Sequence, residues 1–269
     1  RGAVSDPHLD RLEAETIYVL REAWACMRPL VMLWSMGKDS SALLWMARKA
    51  FLGRVPFPLA LLDTGEELDE VYAFRDHYVR EWGLDYVNVP CPGIETTDPT
   101  LPPSARAAAR KTEGLKAFIR ERAPRGVILG IRRDEQAVRA KERVFSPRTA
   151  DGRWDFRNQP AELWDHYKTE LPPGLHVRIH PLLSWSELDV WRYIRREELP
   201  IVDLYFARDG KRYRSLGEKN ITFPVPSTAS TLDEVIAELE TTQIAERAGR
   251  AMDHEEEHGF ERLRLDGYM

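Results

Sequence analysis

The stretch SMGKDSS, residues 35–41, places small and charged side chains between an apolar run and a segment with helical spacing. Gly37 allows the backbone to approach an anion closely, and successive N–H groups at such a turn form a concave surface. Lys38 adds a full positive charge, next to the partial positive charge of a helix start. Further hydroxyl donors are Ser35, Ser40 and Ser41. The stretch therefore predicts a pyrophosphate site; an ordinary strand-to-helix turn capped by Ser40 is the alternative.

A second group of cations follows a later apolar run, in the stretch GIRRDEQ that begins at Gly130. Gly130 gives access to the backbone, and the guanidinium groups of Arg132 and Arg133 suit the oxygens of sulfate or phosphate. A solvated helical surface with an ion pair between Glu135 and Arg139 is the alternative. That pair does not explain two adjacent arginines directly after a buried strand, so we expect an anion site here.

Both stretches follow short apolar runs that alternate with helical patterns. Such runs are typical of strands covered on both sides, and the alternation predicts an α/β fold. We expect a doubly wound, mostly parallel sheet with helices on both faces, which binds ligands beyond the carboxyl ends of its strands. The predicted strands are 29–34, 57–65, 84–89 and 126–131. The predicted helices are 8–27, about 40–51, 66–83, 105–123, a segment within 184–200, and 231–252.

The alternation stops beyond Arg132. Residues 146–174 lack regular periodicity and predict a loop-rich excursion, and the helix within 184–200 shows a capping-box pattern of Ser184 and Glu187. We expect a nucleotide-binding domain over residues 1–200 and a loop-rich C-terminal extension over residues 201–269 that covers the site or contacts a partner.

Composition limits the class of protein. The chain has 269 residues, of which 43% are hydrophobic, enough for a proper core. Its 39 Lys and Arg against 44 Asp and Glu give a net charge of −5, so the whole chain gives no reason to expect nucleic-acid or membrane binding. Two cysteines are too few for a disulfide framework, and no apolar run reaches the roughly 20 residues of a membrane span. We expect a cytoplasmic protein.

Several motifs carry a resemblance to a known family. The pattern S-x-G-K-D-S after a first strand resembles the PP-loop of ATP pyrophosphatases, which have an adenine nucleotide alpha hydrolase-like fold and cleave ATP between its α and β phosphates. Further motifs, in order along most of the chain, resemble the small, catalytic subunit of bacterial ATP sulfurylase, the sulfate adenylyltransferase subunit 2 family, itself similar to phosphoadenylylsulfate reductases. They are PFPLALLDTGEELDEVYAFRD, KTEGLK, GIRRDEQAVRAKERVFS, RWDFRNQPAELWDHY and a run that ends in ELPIVDLYFA.

The resemblance implies roles for individual residues. ATP is the substrate and Mg²⁺ the cofactor, with Asp39 as its candidate ligand. Lys38 and the loop amides hold the leaving pyrophosphate, while Arg132 and Arg133 stabilise charge at the α-phosphate and orient sulfate. The adenosine lies beside the turn after the second strand. The implied nucleotide-binding residues are Ser35, Gly37, Lys38, Asp39, Ser40, Ser41, Leu62, Asp63, Thr64, Gly130 and Arg132.

The implied reaction joins ATP and sulfate into adenosine 5′-phosphosulfate and pyrophosphate. A GTPase large subunit is the implied partner in a heterodimer, a homo-oligomer stays open, and no membrane is involved. The chain departs from the family at residues 207–226, which are fewer than usual and lack the family cysteine, and this leaves the acceptor open. One alternative is a diverged PP-loop ATP pyrophosphatase that activates another acceptor, in DNA phosphorothioation or a specialised sulfur pathway. The other is a noncatalytic subunit that binds ATP or a GTPase.

Overall fold

The computed structural model describes residues 6–149, 152–157, 159–164, 166–170, 172, 174–243, 246 and 267. The strands in these residues are β1 (Leu30–Leu33), β2 (Leu59–Asp63), β3 (Tyr86–Pro90), β4 (Gly126–Ile128), β5 (Phe145–Arg148), β6 (His176–Ile179), β7 (Lys211–Arg212) and β8 (Val225–Pro226). The α-helices are α1 (Pro7–Cys26), α2 (Lys38–Ala50), α3 (Asp69–Glu81), α4 (Pro103–Arg122), α5 (Glu187–Arg196) and α6 (Leu232–Thr241).

Six of the strands form one sheet in the order β3-β2-β1-β4-β6-β5. Neighbouring strands run parallel except at one edge, where β5 pairs antiparallel with β6. The order reverses between β1 and β4, because the chain leaves β3 at the far edge and re-enters the sheet beside β1. Ligands of open α/β sheets bind in the crevice at such a reversal. The prediction of a mostly parallel, doubly wound sheet is confirmed.

The two faces of the sheet bury different sets of side chains. Alternate residues of β1 point to opposite faces, so Leu30 and Met32 join the core under α1, α2 and α5, whereas Val31 and Leu33 join the core under α4. The core under α4 is the smaller of the two, and the helix contributes Leu115 and Phe118 to it. Helices therefore cover both faces, as predicted. The first half of α4 lies near the start of α2, where both line one cavity.

Three sequence-based predictions need correction. The capping box of α5 is formed by Ser186 and Asp189, not by Ser184 and Glu187: the Ser186 hydroxyl accepts from the Asp189 N–H at 3.1 Å, and the Asp189 carboxylate accepts from the Ser186 N–H at 2.9 Å. The run SWSELD contains two overlapping Ser-x-x-acid patterns, so the pattern could not choose between them. The Glu187 carboxylate pairs with Arg214 at 2.9 Å instead.

The other two corrections concern a strand that was not predicted and the end of a helix. Strand β5 was missed because it is a short edge strand with a proline at its third position, without an alternating pattern. Helix α6 ends at Thr241, whereas the pattern predicted a helix to residue 252. Thr241 and Thr242 have low helix propensity, which favours an end there. The rest of that predicted helix apart from residues 242, 243 and 246, and the tail after it apart from Gly267, lie outside the described residues.

Two expectations from composition can be compared with the structure. Cys26 and Cys91 are both free thiols, as expected for a chain without a disulfide framework. Among the helices in the described part of the chain, none combines the length and apolarity that crossing a membrane requires.

The β6 imidazole of His176 predicts a pH-dependent stability. Burial, together with the charges of Arg178 and Arg148, lowers the pKa of His176 from 6.5 to about 4. The unfolded chain therefore binds a proton between those values that the folded chain excludes, and stability falls as the pH drops from about 6.5 to about 4. As the pH drops from about 6.5 to about 4, the free energy of unfolding should therefore fall by about 2–3 kcal/mol less in His176→Gln than in the wild type. The measurement is urea unfolding of both proteins at several pH values. Parallel curves for the two proteins would contradict the assignment.

Candidate functional site

The loop between β1 and α2 turns sharply before the helix begins. Met36 has a φ of 57°, in the left-handed region that a non-glycine residue seldom adopts, and its side chain is fully buried. Gly37 follows as the N-cap residue, and α2 starts at Lys38. The first turn of α2 borders a cavity of about 210 Å³ at the crevice between β1 and β4. The predicted pyrophosphate loop is therefore at the sheet reversal, with the positive end of a helix directed at a cavity.

Lys38 is buried at the edge of this cavity, with a side chain that is 1% exposed. Its ammonium group lies 3.4 Å from the Asp39 carboxylate and 3.9 Å from that of Glu187, and it donates to the Arg214 carbonyl at 3.4 Å. It also forms a close ion pair with Glu246. Burial alone would lower the pKa of Lys38, but the charges of Glu246 and Glu187 outweigh it and raise the pKa above its ordinary value. Lys38 is therefore a fully charged ammonium group.

Arg132 brings a second buried cation to the same place from the loop after β4. Its side chain is 0% exposed, and its guanidinium contacts three carboxylates, those of Asp39, Asp134 and Glu246. The bond from its Nε to Asp134 measures 2.9 Å. Burial opposes the charged form, yet Glu246 and the neighbouring acids raise the pKa of Arg132. A planar guanidinium with several acceptors is a preorganised anion-binding group.

Glu246 connects the two cations. One oxygen of its carboxylate pairs with Lys38 and the other with Arg132. Burial would raise the pKa of Glu246, but the charges of Lys38 and Arg132 lower it below its ordinary value. A carboxylate therefore occupies the position that an anionic ligand needs on these two cations.

Further carboxylates balance the remaining positive charge. Arg139 lines the cavity and pairs with Glu135. Oxygens of Asp39, Glu135 and Glu246 lie within 4.8 Å of one another. Carboxylate oxygens are the ligands that Mg²⁺ prefers, so this donor set fits that ion. The alternative from sequence, a Glu135–Arg139 pair, is thus present, and it lies in the cavity rather than on a solvated surface.

Gly130 brings the end of β4 against α2. A Cβ atom built on Gly130 would lie 3.1 Å from the Ser40 backbone N and 3.3 Å from the Asp39 carbonyl carbon. A side chain at this position would therefore push the backbone of the first turn of α2 away by a few tenths of an ångström. The glycine therefore allows the loop that carries Arg132 to approach the first turn of α2.

The turn after β2 is held by its own side chains and by α4. The Asp63 carboxylate accepts from the Gly65 N–H at 2.8 Å and from the Tyr72 hydroxyl at 2.7 Å. Burial would raise the pKa of Asp63, but the bond from Tyr72 and its other donors lower it. Arg110 of α4 donates to the Thr64 carbonyl at 2.7 Å. The Asp63 side chain and the Thr64 carbonyl are thus used to hold the turn, and the predicted adenosine residues Leu62, Asp63 and Thr64 do not line the cavity.

The cavity is lined by a further cation, Lys111. Lys111 of α4 lies 3.0 Å from the Glu67 carboxylate and 3.3 Å from that of Glu218. Both carboxylates are buried. Glu218 belongs to residues 207–226, the segment that departs from the family pattern, and it lines the cavity.

The structure separates some of the predicted site residues. Ser35 and Ser40 line the cavity, and their hydroxyls lie 3.2 Å apart, whereas the Ser41 hydroxyl accepts from the Trp34 indole at 3.2 Å. Arg132 is fully buried and Arg133 is exposed, and neither lines the cavity directly. Arg132 borders it through its ion pairs with Asp39 and Glu246, which do line it.

Sequence reasoning missed Tyr205, Lys111 and Glu246. Tyr205 and Lys111 lie in segments that resemble the family, within YFA and KTEGLK, and that resemblance was the available signal. Glu246 lies outside the motifs that carry the resemblance. No local pattern assigns these residues to the site, because they reach it from positions far along the chain.

The chain matches the family model described as "Phosphoadenosine phosphosulfate reductase domain" over residues 29–224. It is 43% identical to the sulfate adenylyltransferase subunit 2 of Rhizobium tropici, over 98% of this chain and 94% of the relative. It has the same identity and coverage with the protein of that name from Rhizobium meliloti (strain 1021).

Solved structures with low sequence identity share the fold. FMN adenylyltransferase of Candida glabrata superposes with a TM-score of 0.60 at 16% identity, covering 100% of this chain and 91% of that chain. Phosphoadenylyl-sulfate reductase of Candida auris, solved as a phosphate complex, superposes with a TM-score of 0.55 at 18% identity, covering 82% of this chain and 98% of that chain. These likenesses confirm the adenine nucleotide alpha hydrolase-like fold.

The bridging carboxylate predicts a gain of anion affinity on its removal. Glu246→Gln removes the negative charge that an incoming anion has to displace from Lys38 and Arg132. We expect the Kd for inorganic pyrophosphate, measured by titration calorimetry in EDTA, to fall about tenfold. Glu240→Gln is the matched control, since Glu240 pairs with Arg192 at 2.7 Å on the exposed side of α6. Unchanged or weaker pyrophosphate binding by Glu246→Gln would contradict this role.

Proposed function

Because the chain belongs to the phosphoadenosine phosphosulfate reductase domain family and, within it, to the sulfate adenylyltransferase subunit 2 proteins, we propose that it adenylylates sulfate. The reaction is ATP plus sulfate to adenosine 5′-phosphosulfate plus pyrophosphate. A sulfate oxygen attacks the α-phosphorus in line, the bond to the bridging oxygen breaks, and pyrophosphate leaves. The observation that carries the proposal is the buried pair of Lys38 and Arg132 at the start of α2.

The leaving group needs positive charge, which α2 and Lys38 supply. Negative charge grows on the β-phosphate as the bond to the α-phosphorus breaks. The Lys38 ammonium and the amides of the first turn of α2 that follow Lys38 are fixed before the substrate binds, so they stabilise that charge without reorganisation. The hydroxyls of Ser35 and Ser40 line the same cavity as further donors.

The cations that follow β4, Arg132 and Arg139, are the groups that would bind the α-phosphate and the sulfate acceptor. Arg132 would contact the α-phosphate from the loop that Gly130 holds against α2. Arg139, which lines the cavity, takes the part in orienting sulfate that the resemblance implied for Arg133. Leu62, Asp63 and Thr64 would bind the adenosine mainly through backbone groups, because the Asp63 carboxylate is engaged within its turn.

The cavity lacks spare positive charge for a triphosphate. Asp39, Glu135 and Glu246 already face Lys38, Arg132 and Arg139. Binding of ATP therefore requires that Glu246 leave the cations and that a divalent cation accompany the nucleotide. Asp39, Glu135 and Glu246 are the residues that would hold Mg²⁺, which supplies charge neutralisation between phosphate oxygens.

A second subunit belongs to the proposal, since the relatives are named as subunit 2. The phosphosulfate anhydride is a high-energy bond, so formation of adenosine 5′-phosphosulfate is uphill. A GTPase large subunit that couples GTP hydrolysis to this step is the partner we propose, in a heterodimer with this chain. The C-terminal extension over residues 201–269 is the region we propose to cover the site or contact that partner.

The proposed activity predicts sulfate-dependent release of pyrophosphate from ATP, in the presence of the large subunit and GTP. Lys38→Met keeps an aliphatic side chain and removes the charge. We expect it to lower kcat/KM for ATP by about 100-fold or more, as loss of one charged transition-state contact does. The assay is enzyme-coupled detection of pyrophosphate at varied sulfate concentration.

Lys49→Met is the matched control, because Lys49 lies in the last turn of the same helix and pairs with Glu13 and Glu197. It should retain wild-type turnover. Full activity of Lys38→Met would show that the loop at the start of α2 takes no part in the reaction. Release that ignores sulfate but responds to another acceptor, such as DNA, would favour the diverged pyrophosphatase, and ATP binding without turnover would favour a noncatalytic subunit.

A further inference from the structure

We propose that Tyr205 is a positioning residue for this reaction, which fixes the backbone and the ammonium group of Lys38 so that the loop keeps its anion-binding shape. The inference rests on the proposed function, because that function places pyrophosphate on this loop. Tyr205 ends a 3-10 turn, Asp203–Tyr205, that follows α5. It therefore reaches the start of α2 from a segment 167 residues further along the chain.

The hydroxyl of Tyr205 caps α2. The first N–H groups of a helix have no partner within the helix, and a side chain at the N-cap position usually accepts from one of them. Here the N-cap residue is Gly37, which has no side chain to do so. The Tyr205 hydroxyl accepts from the Lys38 N–H at 2.8 Å instead, and both residues are 1% exposed. A distant residue thus sets where the helix begins.

The backbone that this bond secures is strained. Met36, two residues before Lys38, has a φ of 57°. A non-glycine residue keeps such a conformation only when its surroundings over-determine it. Burial of the Met36 side chain holds one side of the turn, and the bond from Lys38 to Tyr205 holds the other.

The ring of Tyr205 holds the other end of the same lysine. The Lys38 ammonium lies 5.9 Å from the centroid of the ring, within the range of a cation–π contact. The ring is itself fixed by Trp191, at 5.3 Å between centroids and an interplanar angle of 87°, in an edge-on contact. The phenol therefore aligns both the amide and the charge of Lys38 and exchanges no proton in the reaction.

Tyr205→Phe tests this role, because it keeps the ring and removes the hydroxyl. A small displacement of positioning groups lowers rates by about 10- to 100-fold. We expect Tyr205→Phe to weaken pyrophosphate binding about tenfold by titration calorimetry, and to lower kcat for sulfate-dependent turnover by a similar factor. The Lys38 amide should also exchange with deuterium faster, while amides in the middle of α2 stay protected.

Tyr193→Phe is the matched control. Tyr193 is also fully buried, lies edge-on to a tryptophan at 5.3 Å, and donates from its hydroxyl to Glu13 at 3.1 Å, but it does not line the cavity. Both variants should lose a few degrees of Tm, and only Tyr205→Phe should lose affinity and kcat. Pyrophosphate affinity and kcat within twofold of wild type in Tyr205→Phe, or equal losses in Tyr193→Phe, would overturn the inference.

The two proposals fail differently in this experiment. Pyrophosphate binding and amide exchange need no turnover. If the wild-type holoenzyme shows no sulfate-dependent turnover but Tyr205→Phe still weakens pyrophosphate binding, the proposed function fails and the role of Tyr205 stands. If sulfate-dependent turnover is present and Tyr205→Phe leaves binding, exchange and kcat unchanged, only the inference on Tyr205 fails.

Discussion

Two buried cations at the start of α2 are the constraint on which the site depends. Lys38 and Arg132 are almost fully removed from solvent, so each needs a negative charge in direct contact. The carboxylates of Asp39 and Glu246 meet that need in the free protein. In the proposed reaction, a triphosphate would satisfy the same cations only by taking the position of a carboxylate. Anion binding would then be an exchange of one negative group for another on the same two cations.

The fold supplies that frame from separate parts of the chain. The reversal of strand order opens a crevice between β1 and β4, and Gly130 lets the loop after β4 contact the backbone of α2. The segment after α5 then closes the crevice with Tyr205, and the C-terminal tail adds Glu246. A sheet edge, a helix start and distant chain segments thus meet at Lys38, which explains why a buried ammonium group keeps its charge.

The sequence predicted the parts of this arrangement that local pattern encodes. Apolar runs predicted the parallel strands, and the residue types of 35–41 predicted an anion site after β1, where the structure has a cavity. That an anion binds there stays a prediction. The predictions for Gly130 and Arg132 rest on the same logic, a cation directly after a buried strand. Their proposed roles in catalysis stay predictions.

What sequence could not give depends on tertiary contacts. Tyr205 caps a helix 167 residues away, and Glu246 pairs with Lys38 across 208 residues, so no spacing rule connects them. The exposure of Arg133 beside the buried Arg132 depends on the 3-10 turn Arg133–Glu135, which starts between them and which two adjacent arginines do not specify. Overlapping cap patterns placed the start of α5 at the wrong serine, because only the packed helix selects one of them.

A crystal structure with Mg²⁺ and a nonhydrolysable ATP analogue tests the central claim most directly. The account predicts phosphate oxygens within hydrogen-bonding distance of the Lys38 ammonium and the first amides of α2, with the Glu246 carboxylate displaced from both cations. An analogue bound elsewhere, with Glu246 still paired to Lys38 and Arg132, would contradict it.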